Sequence, residues 1–163
     1  MIEQIIEKPH AHILDVCCGG RMFYFDKEDP RVIFCDIRNS EMTIGDNGRK
    51  HVVKPDIQCD FTQLPFISNS FDMVVFDPPH LIGRSTGWLK IKYGCLESDW
   101  KIMIHKGFTE CFRVLKRGGY LIFKWSEHDI PLPEVLKCTN RKPIIGQRTG
   151  IKCHTIWCLF QKE

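Results

Sequence analysis

The sequence predicts an open α/β sheet that is mostly parallel and closes with an antiparallel hairpin. Three observations support this fold. Short apolar runs alternate with helical or loop segments, the runs are rich in β-branched and aromatic residues, and two runs lie close together near the C-terminus. Such runs are typical of strands buried on both faces of a sheet. With 163 residues, the chain is expected to form one domain, 1–163, with no room for a separate recognition domain.

Five strands are predicted before the closing hairpin. They are residues 11–16, 31–36, 55–59, 71–76 and 120–125. The clearest helix covers residues 99–116, where apolar residues recur at three- and four-residue steps. We expect Ser98 to cap this helix and Gly118 to end it in the left-handed conformation. The remaining elements are a short helix at 133–138 and hairpin strands at 144–145 and 154–160.

One outer helix of the usual α/β arrangement is expected to be trimmed or replaced. Residues 22–27 are few for a helix that crosses between two parallel strands. Residues 39–50 contain Asp46-Asn47-Gly48, which is typical of a hairpin turn rather than of a helix.

The composition indicates a cytoplasmic protein with neither a metal centre nor a membrane segment. The chain has nine cysteines and a net charge of +3, but no signal-peptide pattern and no long apolar stretch. Disulfides are rare in a reducing cytosol. No pair of cysteines has the C-x₂-C spacing of a zinc site, so the thiols are interpreted as small buried apolar groups. The mild positive charge permits an acidic partner without requiring one.

Four aspartates follow predicted strands, namely Asp15, Asp36, Asp60 and Asp77. In open α/β sheets, ligands bind beyond the carboxyl ends of the strands. Asp36 follows Asp15 by about twenty residues, and a carboxylate in that position can accept both hydroxyl groups of a ribose.

The turn after the first strand, residues 15–21, contains two glycines, which let the backbone approach a ligand closely. A dinucleotide-binding enzyme shares this strand–turn arrangement, but it needs the pattern G-x-G-x-x-G. Cys17 and Met22 occupy positions where that pattern requires glycine. Their side chains would crowd a diphosphate, which makes the dinucleotide alternative unfavourable.

Over nearly its whole length, the chain resembles class I S-adenosylmethionine (SAM)-dependent methyltransferases. The resemblance rests on residues 13–19, on Asp36, on residues 59–61 with 64–66 and 70–75, and on residues 114–119. It implies a Rossmann-like sheet with strand order 3-2-1-4-5-7-6 and an antiparallel seventh strand. It further implies SAM as cofactor, bound by Asp15, Cys17, Gly19, Arg21, Asp36, Ile37, Asp60 and Phe61.

Asp77-Pro78-Pro79-His80 resembles the (Asp/Asn/Ser)-Pro-Pro-(Tyr/Phe/Trp) motif of amino-nitrogen methyltransferases. An exocyclic amine conjugated to a ring is a poor nucleophile. Acceptors at the Asp77 carboxylate and the Pro78 carbonyl favour a pyramidal nitrogen whose lone pair faces the methyl group, and proline fixes the carbonyl direction. All four residues are therefore predicted to be catalytic. His80 departs from the motif; imidazole can stack and, when charged, donate to a ring nitrogen or a phosphate.

Residues 81–99 form a candidate substrate loop in which Arg84 and Trp88 combine a phosphate contact with base stacking. Trp125 is expected to form the opposite wall. The predicted reaction is N-methylation of adenine or cytosine in DNA or RNA, with short or lax sequence specificity, with action on single strands, or with a separate recognition partner. Two alternatives stay open: methylation of a small molecule or a protein amide, and a SAM-binding module without enzymatic activity.

Overall fold

The computed structural model describes residues 8–44, 48–82, 94–96, 98–150 and 154–163. The strands are β1 (Ile13–Asp15), β2 (Val32–Asp36), β3 (Ser40–Ile44), β4 (Arg49–Val53), β5 (Ile57–Gln58), β6 (Phe71–Phe76), β7 (Leu115–Ser126), β8 (Ile145–Arg148) and β9 (Thr155–Gln161). The helices are α1 (Trp100–Val114) and α2 (Leu132–Leu136). Within the described ranges, no helix has the length and apolar character needed to cross a membrane.

Seven strands form one sheet in the order β5-β2-β1-β6-β7-β9-β8. Neighbouring strands from β5 to β7 are parallel, whereas β9 pairs antiparallel with both β7 and β8. The predicted mostly parallel sheet with an antiparallel C-terminal hairpin is therefore confirmed. When the separate β3–β4 pair is left out of the numbering, this order is 3-2-1-4-5-7-6.

A two-stranded antiparallel sheet, β3–β4, takes the place of the outer helix that was expected to be trimmed or replaced. The hairpin predicted from Asp46-Asn47-Gly48 is confirmed, although residues 45–47 themselves lie outside the described ranges. Residues 21–31 also form turns and bends instead of a crossover helix. The trimmed outer layer leaves this turn region beside the carboxyl end of β1.

The helix α1 packs its apolar stripe against the sheet, as predicted. The buried residues of the stripe are Ile104, Gly107, Phe108, Cys111, Phe112 and Val114. Gly107 permits close packing, because a Cβ there would lie 2.6 Å from Phe76 Cζ. The helix begins at Trp100 with Asp99 at the N-cap position and without a side-chain cap. The expectation that Ser98 caps it is therefore wrong.

The C-terminal end of α1 also differs from the prediction. The chain passes directly into β7, because Leu115 has extended backbone and pairs with Phe71. Gly118 has φ +79° but lies inside β7, where its N–H donates to the carbonyl oxygen of Lys162 at 2.7 Å. Its left-handed conformation thus serves contact with the C-terminal segment and does not end the helix.

The described cysteines are all free thiols. Cys18, Cys35, Cys111, Cys138 and Cys158 are buried, which agrees with their interpretation as small core residues. In the described ranges, His, Cys, Asp and Glu side chains form no group of three or more that could hold a metal ion.

Candidate active site

The turn after β1 is held by two aspartates. Gly19 has φ +48°, a conformation that favours glycine, and its N–H donates to Asp36 Oδ2 at 2.9 Å. Asp15 Oδ1 accepts a hydrogen bond from the Cys17 N–H at 3.1 Å. Because Asp15 and Asp36 end the neighbouring strands β1 and β2, these bonds fix the turn at the carboxyl edge of the sheet.

Asp15 supports this turn from within the protein. Its side chain is 1% exposed, and Oδ2 is buried beside the Tyr24 hydroxyl. Burial raises the pKa of Asp15 to about 7. The carboxyl group lines neither of the two cavities, of about 340 and 300 Å³, that open beside this turn. The expected direct contact between this carboxylate and a cofactor is therefore corrected: Asp15 shapes the turn.

A first cavity, of about 340 Å³, opens at the carboxyl ends of β1, β2 and β6. It brings together most of the predicted cofactor-binding residues. Those residues are Cys17, Asp36, Ile37, Asp60 and Phe61, and they are joined there by Asp77 and Pro79. Ile37 is 59% exposed, so it offers a flat apolar surface beside the Asp36 carboxylate. The first turns of α1 close the far side through Ile102 and Met103.

A second cavity, of about 300 Å³, adjoins the first. Three residues, Cys17, Arg38 and Asp77, line both cavities. The other walls of the second cavity come from the turn after β1, from β4 and from the ends of β6 and β7. They include Gly19, Met22, Phe23, His51, Pro78, His80 and Lys124. Asp77 thus stands where the two cavities meet.

Asp36 is 3% exposed and carries several hydrogen bonds. Its Oδ1 accepts from the Arg38 backbone N–H and Nε, both at 2.9 Å, and its Oδ2 accepts from Arg38 Nη2 at 3.0 Å. With the bond from Gly19, four donors occupy a carboxylate that offers about four lone-pair sites. A ribose hydroxyl can therefore reach Asp36 only if the Arg38 side chain yields part of this pairing.

Asp77 forms an ion pair with Lys124. Lys124 Nζ donates to Asp77 Oδ1 at 3.0 Å and to Oδ2 at 2.9 Å, and both side chains are less than one fifth exposed. Burial raises the pKa of Asp77, and the ammonium group of Lys124 acts in the opposite direction. The two residues meet because Phe76 pairs with Phe123 in β6 and β7, which places the next residues side by side.

His80 lines the second cavity as a neutral imidazole. Burial, together with the nearby Lys124 charge, lowers the pKa of His80 to about 4. At neutral pH this lowered pKa favours the uncharged imidazole, which keeps one N–H donor but brings no positive charge to a phosphate. The ring lies edge-on to Trp125, with the ring centroids 6.3 Å apart.

The structure contradicts the prediction that Arg21 binds the cofactor. Its side chain is 9% exposed and donates to the carbonyl oxygens of Lys27 and Lys54 and to Asp56 Oδ1. The guanidinium carbon also lies 4.0 Å from the centre of the Phe34 ring. These bonds tie the turn region to the body of the protein and leave the arginine no access to either cavity.

Trp125 likewise does not form a wall of the substrate site. It is 0% exposed, and its Nε1 donates to the carbonyl oxygen of Ile130 at 2.9 Å. A fully buried indole cannot touch a substrate, so Trp125 is a core residue that backs His80. Arg84 and Trp88, the two predicted loop contacts, lie outside the described ranges.

The residues of the second cavity that sequence reasoning missed include Phe23, His51 and Lys124. For Lys124 a signal exists. It is the one charged residue inside the apolar run 120–125, and the strand that holds it neighbours the strand that ends directly before Asp77. Phe23 and His51 carry no comparable signal. Their segments reach the cavity because turns and the β3–β4 pair replace an outer helix, and the residues around Phe23 and His51 do not indicate this.

The sheet order, with cavities at the carboxyl ends of β1, β2 and β6, is that of the Rossmann-like methyltransferase fold. No protein-family model matches the chain, and no curated protein matches it. Solved structures do match, at identities low enough that they show the fold alone.

Three of these structures illustrate the likeness. The N-methyltransferase NodS of Bradyrhizobium japonicum WM9 is 13% identical with a TM-score of 0.55, and the match covers 99% of this chain and 93% of NodS. A putative rRNA-methylase of Clostridium thermocellum is 15% identical with a TM-score of 0.53, covering 99% and 96%. The 1,6-didemethyltoxoflavin-N1-methyltransferase of Burkholderia thailandensis, solved with 1,6-didemethyltoxoflavin and S-adenosylhomocysteine (SAH), is 15% identical with a TM-score of 0.51, covering 99% and 76%.

Proposed function

We propose that the chain is a SAM-dependent methyltransferase that methylates an exocyclic amino nitrogen. The observation that carries this proposal is the position of Asp77, which lines both cavities at their junction. A group at such a junction can contact an acceptor on one side and face a methyl donor on the other. The Asp-Pro-Pro sequence supplies the acceptor oxygens that an amine of low nucleophilicity requires.

The first cavity fits the adenosine part of the cofactor. Ile37 and Phe61 provide apolar surfaces for a purine, and Asp36 provides the carboxylate for the ribose hydroxyls. The turn at Cys17 and Gly19 leads from this cavity towards the second one. When bound, SAM supplies an electrophilic methyl group on a sulfonium sulfur.

In the proposed reaction, Asp77 and Pro78 position the amine. Two of the four lone-pair sites of the Asp77 carboxylate accept from Lys124, which leaves sites for an amine N–H. The Pro78 carbonyl accepts the second N–H. After methyl transfer, the amine nitrogen is positively charged and must lose one proton. The Asp77 carboxylate accepts this proton, because burial raises the pKa of Asp77.

The acceptor we favour is adenine or cytosine in DNA or RNA. A single strand costs little to bind, whereas a base in a duplex must first leave its stack. A small-molecule amine is the second candidate. It is supported by the structural likeness to NodS and to the toxoflavin methyltransferase, and by a second cavity of only about 300 Å³.

The cofactor assignment predicts a thermal shift. SAH at one hundred times its dissociation constant should stabilise the protein by about 2.7 kcal/mol, which corresponds to a rise in Tm of about 5–10 °C. Differential scanning fluorimetry measures this, with NAD as the control ligand that should cause no shift. A Tm that stays constant at saturating SAH would remove SAM binding from the proposal.

The acceptor is identified by incubating the protein with radiolabelled SAM and separate fractions of cellular DNA, RNA, protein and metabolites. Mass spectrometry of the labelled fraction then gives the methylated atom. Affinity for single-stranded nucleic acid that weakens with added salt supports the first candidate. Label confined to metabolites supports the second.

Lys124→Met is expected to move the acidic limb of the kcat/KM–pH profile to higher pH. Activity requires ionised Asp77, and Lys124 lowers the pKa of this carboxyl against the effect of burial. Without the ammonium group, the pKa of Asp77 rises further, so the ionised form is lost at a higher pH as the solution is acidified. Lys124→Arg keeps the charge and should keep the limb near its original position. An acidic limb that does not move in Lys124→Met would contradict this role.

A further inference from the structure

Asp77 and Lys124 place a hydrogen-bond acceptor and a donor side by side in the second cavity. Two of the three N–H groups of the ammonium are used in the bonds to Asp77 Oδ1 and Oδ2. The third is not used in these bonds and can donate to a ligand, beside the cation–π contact that Nζ makes with the Phe23 ring. A carboxylate beside an ammonium matches a ligand edge that carries a donor next to an acceptor.

Phe23 provides a flat surface in the same cavity. Its ring is 38% exposed and lies edge-on to Trp157, with the centroids 5.0 Å apart. Lys124 Nζ is 5.0 Å from the centre of the Phe23 ring, so the ring adjoins the donor–acceptor pair. The neighbouring residues Arg21 and Tyr24 are both anchored to the body of the protein, so stacking on Phe23 costs little ordering entropy.

The position of Phe23 follows from the trimmed outer layer. Residues 21–31 form turns instead of a helix, and the turn region reaches the cavity next to Pro78 and His80. The fourth position of the motif holds a neutral imidazole rather than a larger aromatic ring. Phe23 thus brings an aromatic ring from another segment into the cavity that His80 lines.

We propose, in an extension that rests on the proposed function, that the second cavity selects an amino group adjacent to an unprotonated ring nitrogen. Asp77 accepts from the amine, Lys124 donates to the ring nitrogen, and Phe23 stacks on the ring. The acceptor class is the aminopyrimidine edge, as in adenine or cytosine, either free or in a single strand. Amines without the neighbouring ring nitrogen leave the Lys124 donor unpaired.

The test compares adenosine with 1-deazaadenosine and cytidine with 3-deazacytidine, each as the nucleoside and within a short single strand. The deaza analogues keep the amine and lose only the ring nitrogen. The wild type is expected to favour the natural base by about 10- to 100-fold in kcat/KM, because one hydrogen bond to a charged group is lost. Activity on the nucleoside or only on the strand distinguishes the two sources of the base.

Lys124→Met is expected to abolish this preference. The matched control is Lys116→Met, since Lys116 pairs with Asp72 on the same two strands but at the exposed opposite end of β6; it should leave the preference intact. Phe23→Leu should raise KM for natural and deaza bases alike by about 10-fold, with the preference unchanged.

Equal kcat/KM for natural and deaza bases in the wild type overturns the inference. So does a preference that persists in Lys124→Met. If SAH raises Tm but the labelled acceptor is an amine without an adjacent ring nitrogen, this inference is wrong and the proposed function stands. If SAH causes no thermal shift, the proposed function fails as well.

Discussion

Replacement of Asp77 by alanine is expected to lower kcat by about 10²- to 10³-fold or more while SAH binding stays nearly unchanged. The substitution removes the acceptor that orients the amine. Asp77 adjoins the first cavity, but the proposed contacts of the adenosine part are made by Asp36, Ile37 and Phe61. Single-turnover methyl transfer measures the first effect, and calorimetric titration with SAH measures the second.

This variant also leaves Lys124 without its partner in a largely buried position. Breaking a buried ion pair typically costs about 3–5 kcal/mol of stability, so a loss of activity could reflect unfolding. The double variant Asp77→Ala/Lys124→Met removes the stranded charge. We expect it to regain stability without regaining turnover. If Asp77→Ala retains the wild-type rate, the catalytic assignment fails.

Asp77→Asn separates two roles of this residue. The amide keeps an acceptor oxygen but cannot take a proton at neutral pH. If Asp77 acts mainly as an acceptor, Asn should retain much of the rate. If Asp77 also receives the proton of the methylated amine, the rate of Asp77→Asn should fall close to that of Asp77→Ala.

Much of the sheet could be predicted because its strands have a strong local signal. The bounds of β6 agree with the prediction, since Phe71–Phe76 is a nearly continuous apolar run that suits a central parallel strand. The junction of α1 and β7 could not be read in the same way. Leu115 pairs with Phe71, forty-four positions away, and this long-range pairing overrides the local glycine signal at Gly118.

The location of the site could be predicted better than the partners that its individual side chains contact. Asp36 ends β2 and Asp77 directly follows β6, and both line one cavity because parallel strands bring their carboxyl ends to one edge. Arg21 was predicted to bind the cofactor and Trp125 to form a wall of the substrate site. In the structure, Arg21 instead bonds to Asp56 and Trp125 to Ile130. Residue type and position along the chain do not reveal which partner a buried polar group finds.

Asp36→Ala is expected to weaken SAH binding by about 10- to 100-fold, because the ribose hydroxyls lose a charged acceptor. The opposite expectation applies to Arg38→Met. Arg38 takes three of the four bonds to Asp36, and the two from its side chain vanish in the variant. Two acceptor sites of the carboxylate then open for the ribose hydroxyls, so SAH should bind at least as tightly as in the wild type.

Calorimetric titration of both variants with SAH tests this pair of expectations, with Tm recorded to exclude unfolding. Asp36→Ala also removes the acceptor of the Gly19 N–H, which makes Asp36→Asn the control for the shape of the turn. An unchanged dissociation constant in Asp36→Ala would refute the ribose role. A weaker affinity in both Asp36→Ala and Arg38→Met would instead mean that the intact ion pair, and not the carboxylate alone, forms the floor of the first cavity.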